Sequence, residues 1–131
     1  MIHTFTSENI ETIAKVLGTQ AKPLGDDVFR LELTHTETDR KLALEIHLGL
    51  LVQGESMNMV SVYASNTFLQ LHNCTAFVAS DISHQVTFFG TSGSKTSGLI
   101  IEKEAFPWLP YFFEKVFLSR KKYMVFQKQN E

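Results

Sequence analysis

Leu42-Ala43-Leu44-Glu45-Ile46-His47-Leu48-Gly49-Leu50-Leu51-Val52 carries an aliphatic residue at every second position from 42 to 52. That period of two marks a strand with one buried face, because successive strand side chains point to opposite sides. A helix would need its apolar residues three and four apart. Just upstream, Phe29, Leu31 and Leu33 alternate with Arg30, Glu32 and Thr34 in the same way. A four-residue turn over 36–39 pairs Leu33 with Leu42 and Leu31 with Leu44 on the buried face, and sets Arg30 against Glu45 on the other. A two-residue turn at Thr38-Asp39 keeps the faces but opposes Glu32 to Glu45, so the first register is preferred.

Downstream, the chain turns at Gln53-Gly54-Glu55. A three-residue loop pairs Leu50 with Asn58, Leu48 with Val60 and Ile46 with Val62. Val60, Val62 and Ala64 then face inward. Met57, Met59 and Tyr63 face outward, beside Leu51, Gly49 and His47.

Before these strands, Ile10, Ile13, Ala14 and Leu17 fall on one face of a short helix. Thr6 caps it, Phe5 and Ile10 form a hydrophobic staple, and Gly18 ends it, with Pro23 preventing a restart. After them, Asn66 is placed to cap a short middle helix running to about His72, with Phe68, Leu69 and Leu71 as its apolar residues, although Thr67 and Phe68 also suit a strand. Residues 75–80 and 85–89 read as a hairpin around 81–84. A Gly/Ser/Thr turn over 90–98 leads to a short strand, Leu99-Ile100-Ile101. The last element is a helix from about Ala105, with Pro107 and Pro110 in or before its first turn. Trp108, Phe112, Phe113, Val116 and Phe117 form its apolar face, and Arg120, Lys121 and Lys122 offset its dipole. The expected fold is therefore α+β: an antiparallel sheet with an N-terminal helix, a short middle helix and a C-terminal helix, in one domain over 1–131. Residues 119–131 are a helical extension or a frayed tail.

Composition narrows the function classes. With 44% hydrophobic and 20% charged residues, the chain is not of the disordered kind. Net charge is −2, and the only basic cluster is Arg120, Lys121 and Lys122 followed by Lys128, too narrow a stripe for a nucleic-acid interface. One cysteine, Cys74, excludes an intrachain disulfide and a cysteine-based metal site. The first residues lack a basic n-region and an apolar run, and no apolar stretch is long enough to span a bilayer. A cytoplasmic protein without membrane contact is expected.

No motif carries catalysis. Gly90-Thr91-Ser92-Gly93-Ser94-Lys95-Thr96 differs from a phosphate-binding loop by the serine between the second glycine and the lysine, and it leads into a strand. Glu45 and His47 share a strand face, where they could hydrogen-bond or hold a metal with a third ligand, or stand as solvated polar residues beside Arg30. His72 precedes Cys74 by two residues, but sequence neighbours rarely face each other as a nucleophilic pair. No catalytic residue, metal or cofactor is expected. The outward Leu51, Met57, Met59 and Tyr63 break the polar pattern of an uncovered sheet face. Flexible methionines suit varied apolar partners, so this face is either a docking or dimer surface or the seat of a helix.

The order of helix, three strands, short helix, hairpin and final helix resembles that of type III secretion chaperones and of the YbjN-like proteins. Residues 66–73, Asn-Thr-Phe-Leu-Gln-Leu-His-Asn, resemble the middle helix of the YbjN-like group, and residues 75–81 its following strand. The resemblance implies a homodimer that holds a peptide segment of another protein on exposed apolar surface. The expected function is a non-catalytic, chaperone- or adaptor-like binding module using Leu51, Met57, Met59, Tyr63, Trp108 and Phe112. The alternative is a small-ligand protein or weak enzyme, with Glu45 and His47 in a pocket between sheet and helix.

Overall fold

The computed structural model of the chain describes residues 2–64, 67–92 and 95–104. Among them are β1 (Ile2–Thr4), a 3-10 turn (Ser7–Asn9), α1 (Ile10–Val16), β2 (Ala21–Gly25), β3 (Val28–Thr34), β4 (Lys41–Val52), β5 (Glu55–Ala64), β6 (Thr67–Ser80), β7 (Gln85–Ser92) and β8 (Lys95–Glu102). Strands β2 to β8 lie side by side in chain order, each antiparallel to its neighbours, and β1 pairs with β6. Among the described residues, no helix is long and apolar enough to cross a membrane.

The helix forms where its spacing places it. Ile10, Ile13, Ala14 and Leu17 are all buried, as is Phe5 ahead of the cap. The amide and hydroxyl of Thr6 both donate to Asn9 Oδ1 at 2.9 Å, which fixes the entry turn. At the far end Gly18 N–H donates to the Lys15 carbonyl at 3.1 Å and Thr19 N–H to the Ala14 carbonyl at 2.9 Å. This paired closure needs a left-handed residue between them, and Gly18 supplies it at φ +72°.

In the β3–β4 hairpin, Leu33 faces Leu42, Leu31 faces Leu44 and Arg30 faces Glu45, the register that alternation and charge pairing predict. The β4–β5 hairpin differs. Gln53 and Gly54 form a two-residue turn with φ of +51° and +82°, so Val52 opposes Glu55 and Leu50 opposes Met57. One extra residue at Leu48-Gly49 then bulges out of β4, and Ile46 opposes Val60 instead of Val62. The bulge restores Val60 and Val62 to the buried face.

The short middle helix is not formed. Residues from Thr67 onward run in the 14-residue β6, whose Leu69 and Leu71 pair with Val62 and Val60 and are buried while Phe68 is exposed. The spacing of Phe68, Leu69 and Leu71 fits either period, and the free edge of β5 decides it by satisfying the backbone of the segment. The expected α+β fold is thereby corrected: the described chain is an antiparallel sheet with a single short N-terminal helix. The final helix expected from Ala105, with Trp108, Phe112 and the 119–131 tail, lies outside the described residues. β2 was not foreseen either, because Pro23 reads as a breaker. Pro23 sits in an edge strand, where a missing amide is tolerated.

β6 organises the interior. Its first half pairs with β5, and its second half pairs with β1 on one side and β7 on the other. Between the halves, His72 opposes Thr91 and Ala76 opposes Phe89, so three residues of β6 face Gly90 alone. Asn73 takes φ +52° at this point, and the sheet bends. Leu31, Leu33, Leu42, Leu44, Ile46, Phe77, Val86, Phe88, Leu99 and Ile101 line the helix side and are all buried with α1. The distant end of the sheet returns to close this interior. The Thr38 amide donates to His35 Nδ1 at 3.3 Å, which leaves Nε2–H to donate to the Glu104 carbonyl at 2.6 Å. The Lys103 side chain lies over Gly18 at the end of α1.

Candidate functional site

The face of the sheet opposite α1 carries a polar row straight across five strands. Lys22, Arg30, Glu45, Ser61 and Gln70 stand directly opposite one another on β2 to β6. Within the row Arg30 is bonded to Glu45 and Gln70 to Ser61, and further bonds reach the flanking rows. Arg30 Nη1 donates to Glu45 Oε2 at 2.6 Å and its Nε to Glu32 Oε1 at 3.2 Å. His47 Nε2 lies 3.5 Å from Glu45 Oε1. Further along, Gln70 Nε2 donates to Ser61 Oγ at 3.2 Å, and His72 Nε2 is 3.0 Å from Gln70 Oε1. Hydrogen bonds donated to Glu32 and then to Glu45 raise the pKa of Arg30 above its ordinary value, so the guanidinium stays charged. Ser61 is only 1% exposed in the middle of this row.

Beside the polar row lies an aromatic one. Glu32, Ala43, Tyr63 and Phe68 oppose one another across β3 to β6. Small Ala43 leaves Tyr63 uncovered on that side. The Tyr63 and Phe68 rings meet at 5.1 Å between centroids, tilted by 43°, with the two residues 40% and 43% exposed. On the other side of the polar row, Met59 opposes His47 and Met57 opposes Leu50, both methionines half-buried. Compared with protein-family models, curated proteins and solved structures, the chain matches none. What the face does must be read from its own chemistry.

Three of the residues singled out in the sequence, Met57, Met59 and Tyr63, share this face. Leu51 does not join them. The bulge at Leu48-Gly49 sets it opposite Ser56, on the other side of the sheet from Met57, at a strand end where it is 72% exposed. Trp108 and Phe112 lie outside the described residues. Phe68 was missed, because it was grouped with Leu69 and Leu71 as an apolar residue of the middle helix. Its alternation with Leu69, continued by Gln70 and His72 against Leu71, was the signal for an exposed position.

Glu45 and His47 face away from α1, and the described interior between sheet and helix is filled with apolar side chains. An open groove of about 920 Å³ does run between α1 and edge strand β2, past Glu11, Ala14, Lys15, Pro23 and Phe29, but it does not reach Glu45 or His47. The glycine-rich stretch is also corrected: Gly90 to Ser92 continue β7 and Lys95 begins β8, so these residues are paired strand and not a loop.

Cys74 and His72 point apart. The His72 ring bonds Gln70, whereas the Cys74 thiol is 1% exposed and donates to the Leu71 carbonyl at 3.8 Å. Burial pushes this thiol up to about 12 from an ordinary 9.0. A thiol-reactive disulfide at pH 8 should therefore label the native protein orders of magnitude more slowly than the urea-unfolded chain. The same burial couples to stability. Because the folded value lies above the unfolded one, stability is whole below about pH 9 and falls by ~1.4 kcal/mol per pH unit as the pH climbs toward 12. Urea midpoints at pH 8 and pH 10 for wild type and Cys74→Ala check this, since the alanine variant should lose that part of the decline.

Proposed function

We propose that the protein is a non-catalytic, chaperone- or adaptor-like binding module that holds a segment of another polypeptide on the outer sheet face. The observation that carries this is the exposed Tyr63–Phe68 pair, flanked by the bonded polar row and by Met57 and Met59. Apolar anchors give a partner area to bury, and the bonded side chains of Arg30, Glu45, Ser61 and Gln70 present fixed polar groups that orient it. Charge defines the partner further. Through Glu104 the chain has twelve acids and seven bases, so a fitting segment is amphipathic and net basic. The cytoplasm is the proposed site of action, where the single buried cysteine needs no oxidised partner.

A fluorescently labelled amphipathic peptide of about 18 residues, roughly five turns of helix with lysines opposite an apolar stripe, tests the reading by anisotropy. Met57→Glu with Met59→Glu should weaken its binding at least ~10-fold, equivalent to ~1.4 kcal/mol, while the thermal transition stays cooperative. Tyr63→Glu, on the next row, should do the same. Equal binding by the wild type and both variants would mean that the peptide sits elsewhere. Light scattering over a concentration series would show whether a second copy takes the peptide's place.

A further inference from the structure

We propose that the docking face is occupied in cis by the chain's own residues 105–131, and that a partner segment binds by displacing them. This inference rests on the reading of the outer face as a docking surface. Three observations lead to it.

The first is where the described chain ends. The Glu104 carbonyl accepts from the His35 ring at the β3–β4 turn. That turn is at the same end of the sheet as the Glu32–Ala43–Tyr63–Phe68 row, one residue pair beyond which Leu33 meets Leu42. The His35–Glu104 bond lies on the α1 side, so the segment passes round the strand ends and then across three strand spacings from β3 to β6. These distances, about 10 Å and about 14 Å, are covered by roughly seven or eight extended residues. Twenty-seven residues follow Glu104.

The second is the chemistry of those residues. Trp108, Phe112, Phe113, Val116 and Phe117 repeat at a helical spacing that would place them on one stripe. This is the apolar surface that Tyr63, Phe68, Met57 and Met59 call for.

The third is charge. Residues 105–131 hold five bases and two acids, a net +3, whereas the chain through Glu104 is net −5. The one basic cluster of the protein, Arg120, Lys121 and Lys122, lies in this segment. Glu32, two-thirds exposed at the end of the aromatic row, offers it an anionic counterpart. The segment thus has the chemistry that the docking face selects, and it is tethered within reach at high effective concentration.

A competing tether lowers the apparent affinity for an outside ligand in proportion to the fraction of molecules in which it is bound. The test uses the full chain and the same labelled peptide. Trp108→Glu with Phe112→Glu should bind the peptide at least ~10-fold more tightly than the wild type, because the face is vacated. Trp108 is the only tryptophan, so its emission gives a second readout. In the wild type it should be blue-shifted and resistant to acrylamide, and Met57→Glu with Met59→Glu should shift it to the red and expose it to the quencher. If the tail variant binds no more tightly than the wild type while the outer-face variant loses binding, the occupation in cis is overturned and the docking face stands. If neither wild type nor tail variant binds the peptide, the docking face itself fails. Shielding of Trp108 that vanishes on dilution, in step with the mass by light scattering, would place the segment on a second copy and also overturn the proposal.

Discussion

Replacing Gly90 by alanine should cost about 3 kcal/mol of folding stability, and replacing it by valine should abolish the cooperative transition. A Cβ built on Gly90 comes within 2.5 Å of the His72 carbonyl oxygen and 3.2 Å of Cys74 Cα. Both are backbone atoms of the β6 bend, so no side chain can swing aside. Relief requires moving the bend, and the bend sets how β1 and β7 meet the second half of β6. Gly25, by contrast, has nothing near its missing side chain. Gly25→Ala is the matched control and should stay within ~0.5 kcal/mol of the wild type. Urea unfolding followed by far-ultraviolet circular dichroism measures both. A Gly90→Ala midpoint indistinguishable from that of Gly25→Ala would show that the strands have room to separate.

Phe88→Ala should be as severe, at about 3–5 kcal/mol. Phe88 is fully buried, with its ring edge-on to Phe5 at 5.4 Å between centroids, and Phe5 meets Phe77 in the same manner at 6.0 Å. Truncation leaves a ring-sized void between the helix entry and two strands that the bend holds in place, so collapse into it is restricted. Against a total stability of about 5–15 kcal/mol for a domain of this size, such a loss removes roughly a fifth of the margin or more. Phe88→Leu should lose less than half as much, because most of the volume stays filled. A double-mutant cycle with Phe5→Leu should return an edge-to-face coupling of roughly 0.5–1.5 kcal/mol. Additivity of the two single variants would mean that the rings contribute only area.

Much of the sheet is legible in the residues themselves, and the reasons for the rest are local. The β3–β4 register follows from two signals that agree, alternating leucines and the Arg30–Glu45 pair. The next hairpin has only alternation to guide it, and a bulge at Leu48-Gly49 is invisible to alternation. It slips the register by one and carries Leu51 to the opposite face, while Met57, Met59 and Tyr63 keep theirs because β5 is regular. Residues 67–72 suit a helix or a strand in isolation, and what decides between them is hydrogen bonding to β5, a partner that composition does not display. Phe68 therefore went unread as a surface residue, although it is half of the exposed aromatic pair. The polar row was only half legible. Arg30, Glu45 and His47 group within one hairpin and Ser61 joins through the bulged β4–β5 register, whereas Gln70 and His72 join them only once β6 is a strand.

The pairing of β1 with β6, and of Phe5 with Phe88, also sets a timetable for the newborn chain. Phe5, Ile10, Ile13 and Leu17 are made before every strand from β2 onward, yet the walls that cover them include Phe77, Phe88 and Leu99. At a synthesis rate of about 5–20 residues per second, Phe88 follows Phe5 by roughly 4–17 s. During that interval β3, β4 and β5 can zip into hairpins, since their partners are adjacent in the chain. The first helix then has only part of its cover, edge strand β2 and the inner leucines of β3 and β4. Its greasy stripe stays partly open until the bent strand arrives, so an element made before the strands is sealed only after most of them have formed.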